Sequence, residues 1–230
     1  MFITLDFRLT RRIPFKLICV ILIFVAASQA AHADELAVWN FNDSDLNVDH
    51  GSGTLTSNFN VANILFAAGS TTNARQSDTA GQALSLQGGT SNANNGRNIT
   101  FNVSTVGFAN IVVSFATQGT STGFSSNQFQ YSLDGINFID FGPPYVPATA
   151  FETTPVVFSL AAIVALNNNP TVAFRIIFNG ATSSTGNNRI DNIVVEGTTE
   201  TTTVPEPASA LLLASGLASL YKRQRKRHKS

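Results

Sequence analysis

The sequence predicts an all-β domain, an antiparallel β-sandwich, flanked by an N-terminal signal helix and a C-terminal apolar helix. Three observations carry this prediction. Between residues 34 and 197, short runs of β-branched and aromatic residues alternate with polar ones at period two. Gly, Asn, Ser and Thr punctuate those runs at short intervals, and no long stretch has helical periodicity. The chain also carries 18 Phe among 230 residues, enough to fill the space between two facing sheets.

Residues 1–33 read as a secretory signal. Arg8, Arg11, Arg12 and Lys16 form a basic start, and residues 17–27 are a continuous apolar run. Ala31-His32-Ala33 places small residues where a signal peptidase reads them, so cleavage is expected before Asp34. As a helix the run spans about 16 Å, short of a hydrocarbon core of ~30 Å. Cys19, the only cysteine, leaves with the leader, so the mature chain has no disulfide.

Residues 34–197 follow as one ectodomain. In 36–42, Ala37, Trp39 and Phe41 share a face; in 97–103, Ile99, Phe101 and Val103; in 110–117, Ile111, Val113 and Phe115. In 128–133 the face is Phe129, Tyr131 and Leu133; in 171–179 it is Val172, Phe174, Ile176 and Phe178. Residues 155–160 make another strand, and 188–196 close the domain with Ile193 and Val195 inward. One apolar face per strand means half-buried antiparallel sheets. Asp134-Gly135 is expected to join 128–133 to 136–141 as a tight hairpin, because Asp-Gly supplies positive φ.

Residues 198–204 (TTETTTV) read as a Thr-rich linker. The segment 205–230 then has three parts. Val204-Pro205-Glu206-Pro207 leads into an apolar run over 208–220, and six cations follow: Lys222, Arg223, Arg225, Lys226, Arg227 and Lys229. The apolar run, about 20 Å as a helix, is expected to engage the membrane, with the basic cluster held in the cytoplasm.

The formal net charge of zero conceals this segmentation. Between 34 and 204 there are twelve acids against Arg75, Arg97, Arg175 and Arg189, a net of −8. Such a domain repels phosphate, so nucleic acid is excluded as a partner.

No catalytic residue is assigned. The domain has one histidine, His50, no cysteine, and none of the metalloprotease, hydrolase or phosphate-loop motifs. His50 precedes Gly51-Ser52-Gly53 and reads as part of a solvated loop. Asp78, Asp134, Asp140, Glu152 and Asp191 supply carboxylates, but no spacing pairs them. No cofactor is expected, with Ca²⁺ as the alternative. Asp43, Asp45, Asn47 and Asp49 alternate as D-x-D-x-N-x-D, a spacing that can wrap oxygens around Ca²⁺. Val48 and Thr54 stand where an EF-hand needs Gly and Glu. Two readings stay open: a polar turn-forming loop, or a Ca²⁺ site completed by Asp191. Tyr145, between Pro143-Pro144 and Pro147, is the candidate exposed aromatic for stacking on a sugar ring; a merely rigid loop is the other reading.

The tripartite tail resembles the PEP-CTERM sorting signal of bacterial exported proteins. The resemblance implies processing near Pro-Glu-Pro by an exosortase, a membrane-embedded cysteine peptidase, and delivery to the cell surface or an exopolysaccharide matrix. The segment Tyr131-Ser132-Leu133-Asp134-Gly135-Ile136-Asn137-Phe138 resembles the S-x-D-G-x-x-aromatic hairpin of galactose-binding-like and other jelly-roll modules. Arg189-Ile190-Asp191-Asn192-Ile193-Val194-Val195 resembles the last strand of many PEP-CTERM ectodomains. Both imply a jelly-roll form of the sandwich. The sequence therefore favours an exported, non-enzymatic structural or adhesive protein of the surface or matrix. The alternative is a module binding carbohydrate or another matrix ligand, with or without Ca²⁺; a secreted hydrolase ranks last.

Overall fold

The computed structural model describes residues 33–200. The signal segment before Ala33, the Pro205-Glu206-Pro207 motif, the apolar run and the basic cluster lie outside the described residues. Among the described residues, no helix is long and apolar enough to cross a membrane.

Among the described residues, twelve strands form two antiparallel sheets in a jelly-roll-like sandwich. They are β1 (Ala33–Trp39), β2 (His50–Gly51), β3 (Thr54–Ser57), β4 (Ile64–Ala68), β5 (Gln82–Gln87) and β6 (Arg97–Val103). Then come β7 (Phe108–Gly119), β8 (Ser126–Ser132), β9 (Phe138–Asp140), β10 (Val156–Ser159), β11 (Val172–Asn179) and β12 (Asn187–Thr199). The five-stranded sheet runs β3-β6-β11-β8-β9. The seven-stranded sheet runs β10-β7-β12-β1-β2, with β5 on β12 and β4 on β5. The long strands, β7 and β12, are central; every edge strand has five residues or fewer.

The core lies between the sheets, where the alternating apolar residues meet. Phe129 of one sheet stacks on Phe158 of the other, with ring centres 4.0 Å apart and planes 5° from parallel. Phe174 and Phe101 extend this row to Trp39, which is wholly buried. Phe59, Phe124 and Phe178 pack edge-to-face in a second group, an arrangement that aromatic quadrupoles favour.

The seven-stranded sheet forks. Along one side of β12, β5 pairs with residues 187–190 and β1 with residues 193–198. Between them Asp191 and Asn192 form a bulge against β7, with Asn192 at φ +48°. The bulge shifts strand parity, so Ile190 and Ile193 both face the core despite their three-residue spacing.

The segment between β4 and β5 straps across the fork. Ser70 N–H donates to Asp191 Oδ2 at 2.6 Å, and the Asn192 amide donates to the Ser70 and Thr72 carbonyls. The Asn73 amide donates to Asn192 O and Ser114 Oγ, while Arg75 pairs with Glu35 and Glu196, each at 3.3 Å. The outward residues of this sheet are accordingly buried, including Val38, Val194 and Ala116.

Several expectations change. The hairpin after β8 has five linking residues, 133–137, because Ser132 pairs with Phe138; the two-residue turn is not formed. Asp134 instead organises the longer loop. His50 is not in a loop but in β2, paired with Val38. β12 continues through Thr199, pairing Thr198 with Ala33 and Thr199 with Phe108, so the domain extends beyond 197 into the expected linker. β1 likewise begins at Ala33, the last residue of the expected signal.

Candidate functional site

The two sheets differ in what covers their outer faces. The strap covers the seven-stranded sheet, but among the described residues no strand or helix crosses the five-stranded one. Because register and alternation are regular there, the outward residues line up in rows across the strands. The first row is Thr54, Asn102, Ala173, Ser132 and Phe138. The second is Thr56, Thr100, Arg175, Gln130 and Asp140. Asn98, Ile177 and Gln128 begin a third. Five strands at ~4.8 Å make the face about 19 Å wide.

The middle of this face is locked by contacts among its own side chains. Arg175 Nε donates to Gln130 Oε1 at 2.7 Å, and Gln130 Nε2 donates to Asp140 Oδ1 at 2.6 Å. The guanidinium carbon lies 3.8 Å from the centre of the Phe138 ring, two strands away, a cation–π contact. That bridge roofs the small residues Ala173 and Ser132, both wholly buried. Burial lowers the Arg175 pKa from its ordinary value, and Asp140 opposes this. The result is a braced platform of planar amide, guanidinium and aromatic groups in which the charges of Arg175 and Asp140 offset each other.

At one end of the strands the platform opens into a groove of about 440 Å³, within the usual size range of small-molecule clefts. Its floor is formed by the ends of β6 and β11, its walls by residues 52–54 and by Asp134-Gly135. Thr54 and Asn102 belong to both platform and groove. Gly135 has φ +74°, which lets the loop turn over the groove without a side chain. The Asp134 carboxylate accepts from the Asn137 N–H and side-chain amide, the Ile136 N–H and the Ser132 hydroxyl. These bonds hold its pKa far below the ordinary carboxylate range.

No protein-family model matches the chain, and no curated protein matches it. Several solved structures are similar. The CBM22-1 xylan-binding domain of Paenibacillus barcinonensis Xyn10C is 9% identical, matching 74% of this chain and 98% of its own at a TM-score of 0.44. Domain 4 of AbnA, an extracellular arabinanase of Geobacillus stearothermophilus solved with arabinotriose, is 14% identical over 73% and 94%, at 0.43. TmCBM27, a mannan-recognising carbohydrate-binding module, is 10% identical over 74% and 100%, at 0.41. At these scores they assign the chain neither a family nor a ligand.

The residues singled out in the sequence fall elsewhere. Asp45 turns back on Asn47, accepting its N–H at 2.7 Å and its side-chain amide. Asp49 accepts the Asn40 N–H at 2.7 Å, and Asn40 Nδ2 donates to Asp78. His50 Nε2 stands 3.4 Å from Asp78. Burial raises the Asp49 pKa, and Asp43 and Asp78 add to that, against the Asn40 N–H. Asp45 and Asn47 are thus tied to each other and Asp49 to Asn40, while Asp43 acts on Asp49 through its charge. Among the described residues no three acidic or histidine groups converge on a metal position. Asp191 is bonded instead to Ser70 and Asn192, clamping the strap; burial pushes its pKa up to about 7 despite those bonds.

Tyr145 is not presented to solvent for stacking. Its backbone bridges to Asn127, and its ring packs against Phe115 and Phe158. Its hydroxyl is buried without a hydrogen-bond partner, and burial raises its pKa. The proline-rich loop delivers the ring into the gap between the sheets. The aromatic on the exposed face is Phe138, which the hairpin alternation places opposite Ser132.

Proposed function

We propose that this chain is an exported, non-enzymatic module that binds carbohydrate across the outer face of its five-stranded sheet. The observation that carries the reading is the uncovered platform of Phe138, Arg175, Asp140 and Asn102, with the buried Gln130 bracing Arg175 and Asp140. Planar amides and a guanidinium make paired hydrogen bonds to neighbouring hydroxyls. An aromatic ring packs against the apolar face of a sugar. Because Arg175 and Gln130 are already held in place, binding loses little side-chain entropy. This favours the carbohydrate-binding alternative over a purely structural role, and glycan attachment is itself a mode of adhesion.

A hydrolytic role is disfavoured at this site. Asp134, the carboxylate on the groove wall, has its oxygens occupied and is held ionised, unsuited to a general acid. Delivery forms part of the proposal: signal peptidase removes the leader, and an exosortase-type peptidase acts near Pro205-Glu206-Pro207.

The binding test is calorimetric titration of the full chain with xylan, mannan and β-1,4-galactan. At least one should bind, and Phe138→Ala and Arg175→Ala should each weaken it tenfold or more. Absence of binding to all three rejects the reading. For delivery, deleting 205–230 should release the domain to the medium; unchanged surface retention would count against the sorting role.

A further inference from the structure

The groove at the end of the five-stranded sheet differs chemically from the platform. Hydroxyls and amides of Ser52, Thr54, Asn102, Ser104 and Thr171 line it, with no cation. The Asn102 amide donates to Thr54 Oγ1 at 3.3 Å. Its carbonyl oxygen is turned toward Gly135, 3.9 Å from where a Cβ would stand. The one ionised lining group, Asp134, spends its acceptor capacity on its own loop. The nearest platform cation, Arg175, is engaged by Phe138 and Gln130.

We propose that this groove is a second subsite, holding a neutral sugar unit of the chain that lies on the platform, and that it excludes uronates. The inference rests on the carbohydrate-binding reading. An anionic sugar placed there meets a fixed carboxylate and no counter-charge, so its desolvation is uncompensated. A neutral polyol meets hydroxyls, an amide oxygen and open glycine backbone, all of which accept or donate without charge. Thr54 and Asn102 belong to both surfaces, so one extended ligand can occupy the two together.

The test uses the full chain and four probes: xylohexaose, mannohexaose, β-1,4-galactohexaose and hexagalacturonate. Ser52→Trp and Ser104→Trp fill the groove from two different chain segments at exposed positions, and their melting temperatures should match that of the unsubstituted chain. Each should weaken binding of the preferred neutral hexasaccharide at least tenfold, and hexagalacturonate should bind at least tenfold more weakly than that hexasaccharide. Undiminished binding by both tryptophan variants, alongside lost binding by Phe138→Ala, overturns the groove subsite and leaves the platform reading standing. Hexagalacturonate binding as tightly as the neutral probes overturns the charge assignment. Failure of every neutral probe removes the platform reading and this inference with it.

Discussion

Asp191 offers a test of the strap that is independent of any ligand. It is almost wholly buried at the fork, and its pKa is pushed up to about 7 from an unfolded value of 3.8. For an acid with a raised folded pKa, the folded state holds its proton more tightly than the unfolded chain. Its contribution to stability is therefore most favourable below pH 4. It declines as pH rises from about 4 to 7, and is constant above that. At 1.36 kcal/mol per pH unit the decline is of the order of 4 kcal/mol. Asp191→Asn removes the titration but keeps one oxygen acceptor, so one of the N–H bonds from Ser70 and Asn192 is lost, a pH-independent cost of about 1–3 kcal/mol. Urea unfolding can be followed by fluorescence of Trp39, the only tryptophan and a buried one. The quantity to plot is native minus variant stability from pH 4 to 8, which cancels Asp49, Asp134 and the other titrating groups. It should fall by several kcal/mol across that window. A difference that is flat to within about 1 kcal/mol, or that rises with pH, refutes the clamp as described.

Three further outcomes follow from the packing. Phe129→Ala removes the ring stacked between the sheets and should cost about 3–5 kcal/mol in urea unfolding. Asn192→Ala places a Cβ residue with no amide at φ +48° and deletes both bonds to the strap carbonyls. It should cost about 2–4 kcal/mol, and limited proteolysis should show cleavage moving to residues 69–81. Asp134→Ala dissolves the hydrogen-bonded hub of the β8–β9 loop. Because its folded pKa is depressed, the Asp134 contribution is present at neutral pH and lost only in strong acid. Native and variant melting temperatures should thus converge as pH falls below the ordinary carboxylate range.

The strands that could be read from the sequence share one property: large apolar residues recur at every second position on the core face. β6 coincides with its expected span, 97–103, and β7, β8, β10, β11 and β12 lie within a few residues of theirs. β5 escaped because only Leu84 and Leu86 mark its core face, too short a run to stand out beside the small buried residues Ala83 and Ser85. β4, as an edge strand with partly exposed Ile64, Phe66 and Ala67, carries little signal of either kind. Tyr145 was misplaced because flanking prolines mark a loop but say nothing of which way its ring turns. The platform depends on register. Arg175, Gln130 and Phe138 meet only because β8 pairs with both β9 and β11, and neighbours across strands leave no spacing rule in the chain. Asp134 as a turn-former was legible, since that role is local.

The short edges of both sheets bear on how this protein behaves when crowded. An exposed edge is a row of unpaired amides and carbonyls that can template another chain. Here β2 has two residues, β9 three, β3 and β10 four each, and β4 five. The strands long enough to seed a cross-β stack, β7 and β12, are enclosed on both sides. A disulfide-free β domain at high local concentration is exposed to edge-to-edge association. This topology keeps its adhesive backbone in the interior, so that what meets its neighbours is side-chain chemistry.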